Sequence, residues 1–217
     1  ERAGAIDALA ESFAVEKIIH GEPRKLSERS ARWQWAAADA SSGRIPHETV
    51  CAGKRIALSP SASIEVLSPP GRSPKVAGQG SFRDFRSAFA ALKSQNTEDW
   101  SLVLRLDFRG KRFLFLSDIG VEGEAHLVKS CPDIESDVMV AARHGAFGSN
   151  SLELLSRVRP QCCVLMIGRN RPSRSVLRRI STENSGADLY RTDEDGTIEI
   201  TSDGRAIVVN TWEAGRG

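Results

Sequence analysis

Asp118 closes an apolar, strand-like run and stands two residues before Gly120. A carboxylate in that place is a candidate for metal ligation or acid–base chemistry. His144 follows another apolar run, DVMVAA, and immediately precedes Gly145. Each residue also has an ordinary structural account: Asp118 as the cap of a helix beginning near Val121, His144 as a hydrogen-bonding group in a loop. Arg143 and Arg171 belong to a stretch that also holds Arg157, Arg159, Arg169, Arg174, Arg178, Arg179 and Arg191 and is nearly free of lysine. A guanidinium forks two bonds to one phosphate, so such a stretch suits an anion, although scattered arginines equally form a solvated helix face.

Other nucleophile chemistries find less support. There is no Gly-x-Ser-x-Gly elbow, and Cys51, Cys131, Cys162 and Cys163 show no Cys-x-x-Cys spacing. Cys162 and Cys163 fall in the strand-like QCCVLMIG, where packing is the default expectation. His20 and His47 lack ligand-like spacing. His126 lies on the helix after Asp118, facing either the cleft or the helix surface.

These residues are positioned by alternating strands and helices. Strands are expected at 53–58, 64–67, 137–142, 162–167, 189–191, 197–201 and 206–211, with a further short strand ending at His20. The run 100–120, WSLVLRLDFRGKRFLFLSDIG, reads as two strands about the turn 109–112. Helices are expected at 3–13, 26–38, 122–129, 151–158 and 173–182, the last capped by Ser173, and 82–92 reads as a helix or an ordered insertion. Residues 71–80 form a Pro/Gly/Ser-rich loop, and Asp195-Gly196 and Asp203-Gly204 signal hairpins. The class is mixed α/β (α+β), with helices outside sheets.

The 217 residues suit one domain spanning 1–217. A net charge of +2 gives no global field toward nucleic acid or membrane. No apolar run approaches the ~20 residues needed to span a bilayer. The chain begins at Glu1, inside a helical pattern, and is expected to be N-terminally incomplete.

Taken in order, SLVLRLDFRGKRFLFLSDIGVEGEAHLV, DVMVAARHGAFGSN, LLSRVRPQCCVLMIGRN, RPSRSVLRRI and LYRTDEDGTIEI resemble the metallo-β-lactamase fold. The likeness is specifically to the soluble hydrolase domain of ComEC-type competence proteins. The resemblance implies an αββα sandwich of two mixed sheets with outer helices, and a metal cleft between the sheets. Its bridging Asp corresponds to Asp118, with Ser117 in place of the preceding Gly. Its His-His-Gly-Ser loop corresponds to Arg143-His144-Gly145-Ala146, so one imidazole is kept. Elsewhere Glu1 and Arg2 stand in the Asp and His places of the first metal motif, Ser68 takes the place of a His before Pro, and Arg171 that of the late His.

A guanidinium does not deprotonate in a protein and cannot ligate a metal. The expectation is therefore a binding or structural module without metal or cofactor, its cleft lined by Arg143 and Arg171 for nucleic acid or another anionic ligand. The alternative is a phosphodiester hydrolase with a reduced zinc or manganese site on Asp118 and His144, completed by Glu1 and residues upstream. By family resemblance, a membrane channel is a candidate fusion or partner, and a soluble domain would lie in the bacterial cytoplasm or cell envelope.

Overall fold

The computed structural model describes residues 12–21, 45–70, 97–168, 171–183 and 186–212. The chain divides into two compact units, Glu1–Cys51 and Ala52–Gly217. In the first, β1 (Ile18–Gly21) and β2 (His47–Val50) pair in parallel, with Ile18 opposite His47 and His20 opposite Thr49. β1 is the short strand expected to end near His20. The helices expected at 3–13 and 26–38, the helix or insertion at 82–92, the loop 71–80, and Glu1 and Arg2 lie outside the described residues, apart from the last residues of the first helix.

The second unit is built on a seven-stranded sheet of β3 (Arg55–Ser59), β4 (Ala62–Ser68), β5 (Val103–Phe108), β6 (Lys111–Phe115), β7 (Val138–Val140), β8 (Cys162–Leu165) and β9 (Asp188–Arg191), in that spatial order. β3 to β6 are antiparallel neighbours, while β6 to β9 run parallel. The β5–β6 turn is the tight one its sequence predicts. Arg109 (φ 49°) and Gly110 (φ 88°) both adopt left-handed backbone, the geometry that matches the twist of a two-residue hairpin. Two long crossovers carry helices α1 (Val121–Ser130) and α2 (Leu152–Val158), and a third carries the shorter α3 (Arg174–Arg178), which widens into a turn over Arg179–Glu183. Among the described residues, no helix is long and apolar enough to cross a membrane.

Because side chains alternate along a strand, the sheet has two distinct faces. Leu114, Leu116, Met139, Cys163 and Leu165 pack with Leu127, Leu154, Leu155, Val158, Val176 and Ile180 from the helices. On the other face Val138, Cys162 and Val164, with Phe113 and Tyr190, pack against Ile198, Ile200, Ile207 and Val209. Those four belong to the antiparallel hairpin of β10 (Thr197–Ser202) and β11 (Ile207–Trp212). The layers are therefore helices, the mixed sheet and a hairpin.

Two local expectations are corrected. Asp195-Gly196 does not close a hairpin, because β9 takes its partners from β8 and β10 takes its own from β11. Instead the Arg191 N–H donates to Asp195 Oδ2 at 2.6 Å, and this turn sends the chain from one sheet to the other. Ser173 occupies the N-cap position of α3 but makes no cap bond, since its hydroxyl pairs with that of Ser175 at 2.8 Å.

Candidate functional site

Register places the singled-out residues on one edge. Val66, Leu104, Phe115, Val140, Val164 and Tyr190 are successive partners in a single row across β4 to β9. β4 and β6 to β9 all run the same way through that row, so their carboxyl ends lie together. Ser68 follows Val66 by two residues, Asp118 follows Phe115 by three, Arg143 and His144 follow Val140 by three and four, and Arg171 follows Val164 by seven. Open sheets with parallel strands hold ligands outside the carboxyl ends of those strands.

Three hydrogen bonds join the loops along this edge. Arg143 N–H donates to Ser117 O at 2.9 Å, and Ser173 N–H donates to Gly145 O at 2.8 Å. His144 Nδ1 lies 2.6 Å from Met166 O. The loops bearing Asp118, Arg143-His144 and Arg171 are thereby brought together. Asp118, Arg143 and His144 are half-buried, Arg171 is exposed and Ser68 is buried. Asp118 is not the helix cap: the N-cap of α1 is Gly120. His126 sits five residues into α1 and is not a loop-end residue.

The backbone here is strained. Arg143 (φ 50°), His144 (φ 53°) and Gly145 (φ 73°) are consecutive left-handed residues, with Ser117 (φ 52°) and Asn150 (φ 54°) close by. Left-handed backbone costs an L-residue about 1–2 kcal/mol, so the turn persists only because its surroundings over-determine it. Gly145 is required twice over. A Cβ there would lie 2.7 Å from Leu165 Cδ2 and 3.1 Å from Pro172 Cβ, besides taking a disfavoured φ.

Sequence reasoning missed the polar groups that hold this edge. Asp99, only 3% exposed, accepts from the Gly120 and Gly123 N–H groups at 2.8 and 3.3 Å and so satisfies the start of α1. Glu124, fully buried, accepts from the Asn150 N–H and, at 2.8 Å, from the Ser151 N–H. Burial raises its carboxyl pKa above the ordinary range, against the opposing pull of the Ser151 and Asn150 donors and of Arg179. Asn150 in turn clasps Ala142, accepting from its N–H and donating to its carbonyl, both at 3.0 Å. Arg179 Nη1 donates to the carbonyls of Ser149 and Asn150 at 3.0 and 2.8 Å.

The donor set defines what the edge can do. A carbonyl oxygen only accepts, so His144 Nδ1 carries the proton and Nε2 bears the lone pair in the neutral ring. Among the described residues, no three His, Cys, Asp or Glu side chains gather as a ligand set. Asp118 and His144 alone do not make up the donor set of a two-metal centre, and the arginines add no donors to metal. Cys162 and Cys163 do not extend the chemistry: burial pushes the Cys162 thiol up to about 11 and Cys163 to about 12, which keeps both protonated.

Fold and site together define a mixed α+β protein with its candidate site at the carboxyl edge of a partly parallel sheet. No protein-family model matches the chain. Over 103 residues, 46% of this chain, the sequence is 29% identical to ComE operon protein 3 of Bacillus subtilis (strain 168). The match covers 13% of that protein's length.

Proposed function

We propose that the chain is a metallo-β-lactamase-like domain of a ComEC-type DNA-uptake protein that binds a phosphodiester anion at this edge without hydrolysing it. The observation that carries the reading is the pair of guanidinium-bearing residues, Arg143 and Arg171, on loops joined by the Gly145–Ser173 bond. A guanidinium forks onto phosphate oxygens. In the family pattern both stand where imidazole ligands belong, so the cations replace the electrostatic role of the metals. The order of helices, mixed sheet and hairpin fits three layers of an αββα sandwich. The partial similarity to ComE operon protein 3 supports the link to competence.

Fluorescence anisotropy with a labelled single-stranded oligonucleotide tests the reading. Arg171→Ala is expected to weaken binding roughly tenfold at low salt and to lower the slope of log K against log salt by about 1. Indifference to the substitution would remove this edge as the binding surface.

One observation favours a second reading, a phosphodiesterase with a reduced metal site. The Nδ1–H bond to Met166 O orients His144 with its Nε2 lone pair outward, the state in which an imidazole ligates. Asp118 and His144 would hold zinc or manganese, which when bound supplies a Lewis acid and an activated water. Stoichiometric metal by elemental analysis, lost on Asp118→Ala, would put this reading in place of the first.

A further inference from the structure

Thr192 stands just beyond Arg191, the last residue of β9, where the chain leaves one sheet for the other. The turn there is closely made. The Glu194 and Asp195 N–H groups donate to Arg191 O at 3.1 and 2.7 Å, and the Arg191 guanidinium pairs with Asp193 at 2.7 Å and with Glu194. β9 therefore turns away from its neighbour β8, whose chain runs on through Met166 and Ile167 toward Arg171.

The parallel ladder nevertheless extends past the end of β9. Leu165 lies opposite Arg191, and the Thr192 N–H donates to Leu165 O at 3.1 Å. In a continued ladder the Ile167 N–H would go to the Thr192 carbonyl, and the Ile167 carbonyl would take an N–H from further along β9. Here the Thr192 hydroxyl replaces both. The Ile167 N–H donates to Thr192 Oγ1 at 2.8 Å, and Thr192 Oγ1 donates to Ile167 O at 3.2 Å. A hydroxyl suits the place because its one oxygen both donates and accepts.

The neighbouring residue connects this contact to the candidate site. β8 lies between β7 and β9. Ile167 turns both backbone groups to the β9 side, while Met166 presents its carbonyl to His144 Nδ1, beyond the end of β7, at 2.6 Å. Fixing Ile167 on one side thus fixes the Met166 carbonyl on the other. Arg171 follows Ile167 by four residues, and beyond it the Ser173 N–H is held by Gly145 O.

We propose that Thr192 is a positioning residue of this edge: through Ile167 it holds the Met166 carbonyl that orients His144, and it sets where the chain departs toward Arg171. Its effect on affinity rests on the anion-binding reading; its effect on His144 does not.

Two substitutions in the full chain separate hydroxyl from bulk. Thr192→Val keeps the shape without the hydroxyl, and Thr192→Ser keeps the hydroxyl without the methyl. The first readout is the His144 tautomer, taken from the ring nitrogen NMR resonances of isotope-labelled protein with the ring neutral. Wild type and Thr192→Ser are expected to hold the proton on Nδ1, and Thr192→Val to show a mixture of both forms. The second is fluorescence anisotropy with a labelled single-stranded oligonucleotide. Thr192→Val should weaken binding on the order of fivefold, about the worth of one hydrogen bond, and Thr192→Ser should restore it. Thr192 is half-buried at the end of an edge strand, and Thr192→Ala supplies the same comparison should Thr192→Val not fold by circular dichroism. Wild-type His144 protonated on Nε2, or an unchanged tautomer once the hydroxyl is removed, would refute the proposal. So would equal changes in Thr192→Val and Thr192→Ser, which would assign the effect to packing. If Arg171→Ala leaves binding unchanged while the tautomer follows the hydroxyl, the anion reading falls and the positioning of His144 stands.

Discussion

Glu124→Ala is expected to be among the most damaging single substitutions in the sheet–helix core, and the structure sets its size. The carboxylate is fully buried and accepts from two backbone donors, the Asn150 and Ser151 N–H groups at the start of α2. Each buried donor left without an acceptor costs about 1–3 kcal/mol. Against that loss stands a return: burial raises the Glu124 pKa, so removing the charge relieves part of a desolvation penalty. The net is about 3 kcal/mol. Glu124→Gln keeps the shape and one acceptor oxygen but turns an amide donor toward an N–H, so about half that loss is expected. Urea unfolding at pH 7 reads both values from the midpoint at constant m. The damage should also reach the edge, because Asn150 holds Ala142 just before the strained Arg143-His144 turn. Glu124→Ala should therefore weaken oligonucleotide binding under conditions in which the protein remains folded. A loss below about 0.5 kcal/mol would refute the reasoning, since it would mean that the two donors find other partners at no cost.

Two further perturbations probe the same layers. Desolvation, and secondarily Lys129, lowers the His126 pKa from 6.5 to about 4. The unfolded chain then binds more protons between those values, so the stabilisation is full above about pH 6.5 and is lost as pH falls toward 4. Discounted for partial exposure, the loss is about 1–3 kcal/mol. Glu124 contributes with the opposite sign, since a raised carboxyl favours the fold at low pH, so the measurement is the difference between wild type and His126→Gln in urea midpoints across that window. Gly145→Ala should destabilise by about 2 kcal/mol or more, through left-handed backbone and the Leu165 contact, and should displace His144 from Met166 O. The histidine shift is checked by the imidazole NMR resonances, and an unchanged spectrum would refute the link.

Strands with strong local patterns were legible in the sequence. The alternating runs about Arg109-Gly110 gave the hairpin, and the apolar runs before His144 and through Cys162-Cys163 gave the buried parallel strands β7 and β8. Pairing was less legible: the Asp195-Gly196 signal marks a turn correctly but does not say which strand receives β10. Asp118 and His144 were singled out because each follows an apolar run, and Arg143 and Arg171 because they belong to a lysine-poor arginine stretch and stand, by the resemblance, in imidazole places. Asp99 carried no comparable signal, since the amides it satisfies lie 21 and 24 residues further along the chain. Glu124 did carry one. It stands three residues before Leu127 and four before Val128, on the buried face of α1, and a charge inside an apolar stripe must find partners.

The strain and the polar scaffold at this edge account for each other. Two consecutive left-handed L-residues would relax in an exposed loop, yet here Asn150 fixes Ala142 on one side and Ser173 binds Gly145 on the other. Glu124 and Arg179 hold Asn150 from opposite ends, one on its N–H and one on its carbonyl. These buried contacts hold the Arg143-His144 turn in its left-handed conformation. Cα direction at a left-handed residue differs from that of an ordinary loop, so the fixed turn sets where Arg143 and His144 leave the backbone. On the anion-binding reading, relaxing the turn by Asn150→Ala should reduce binding more than an equally destabilising substitution in the hairpin of β10 and β11.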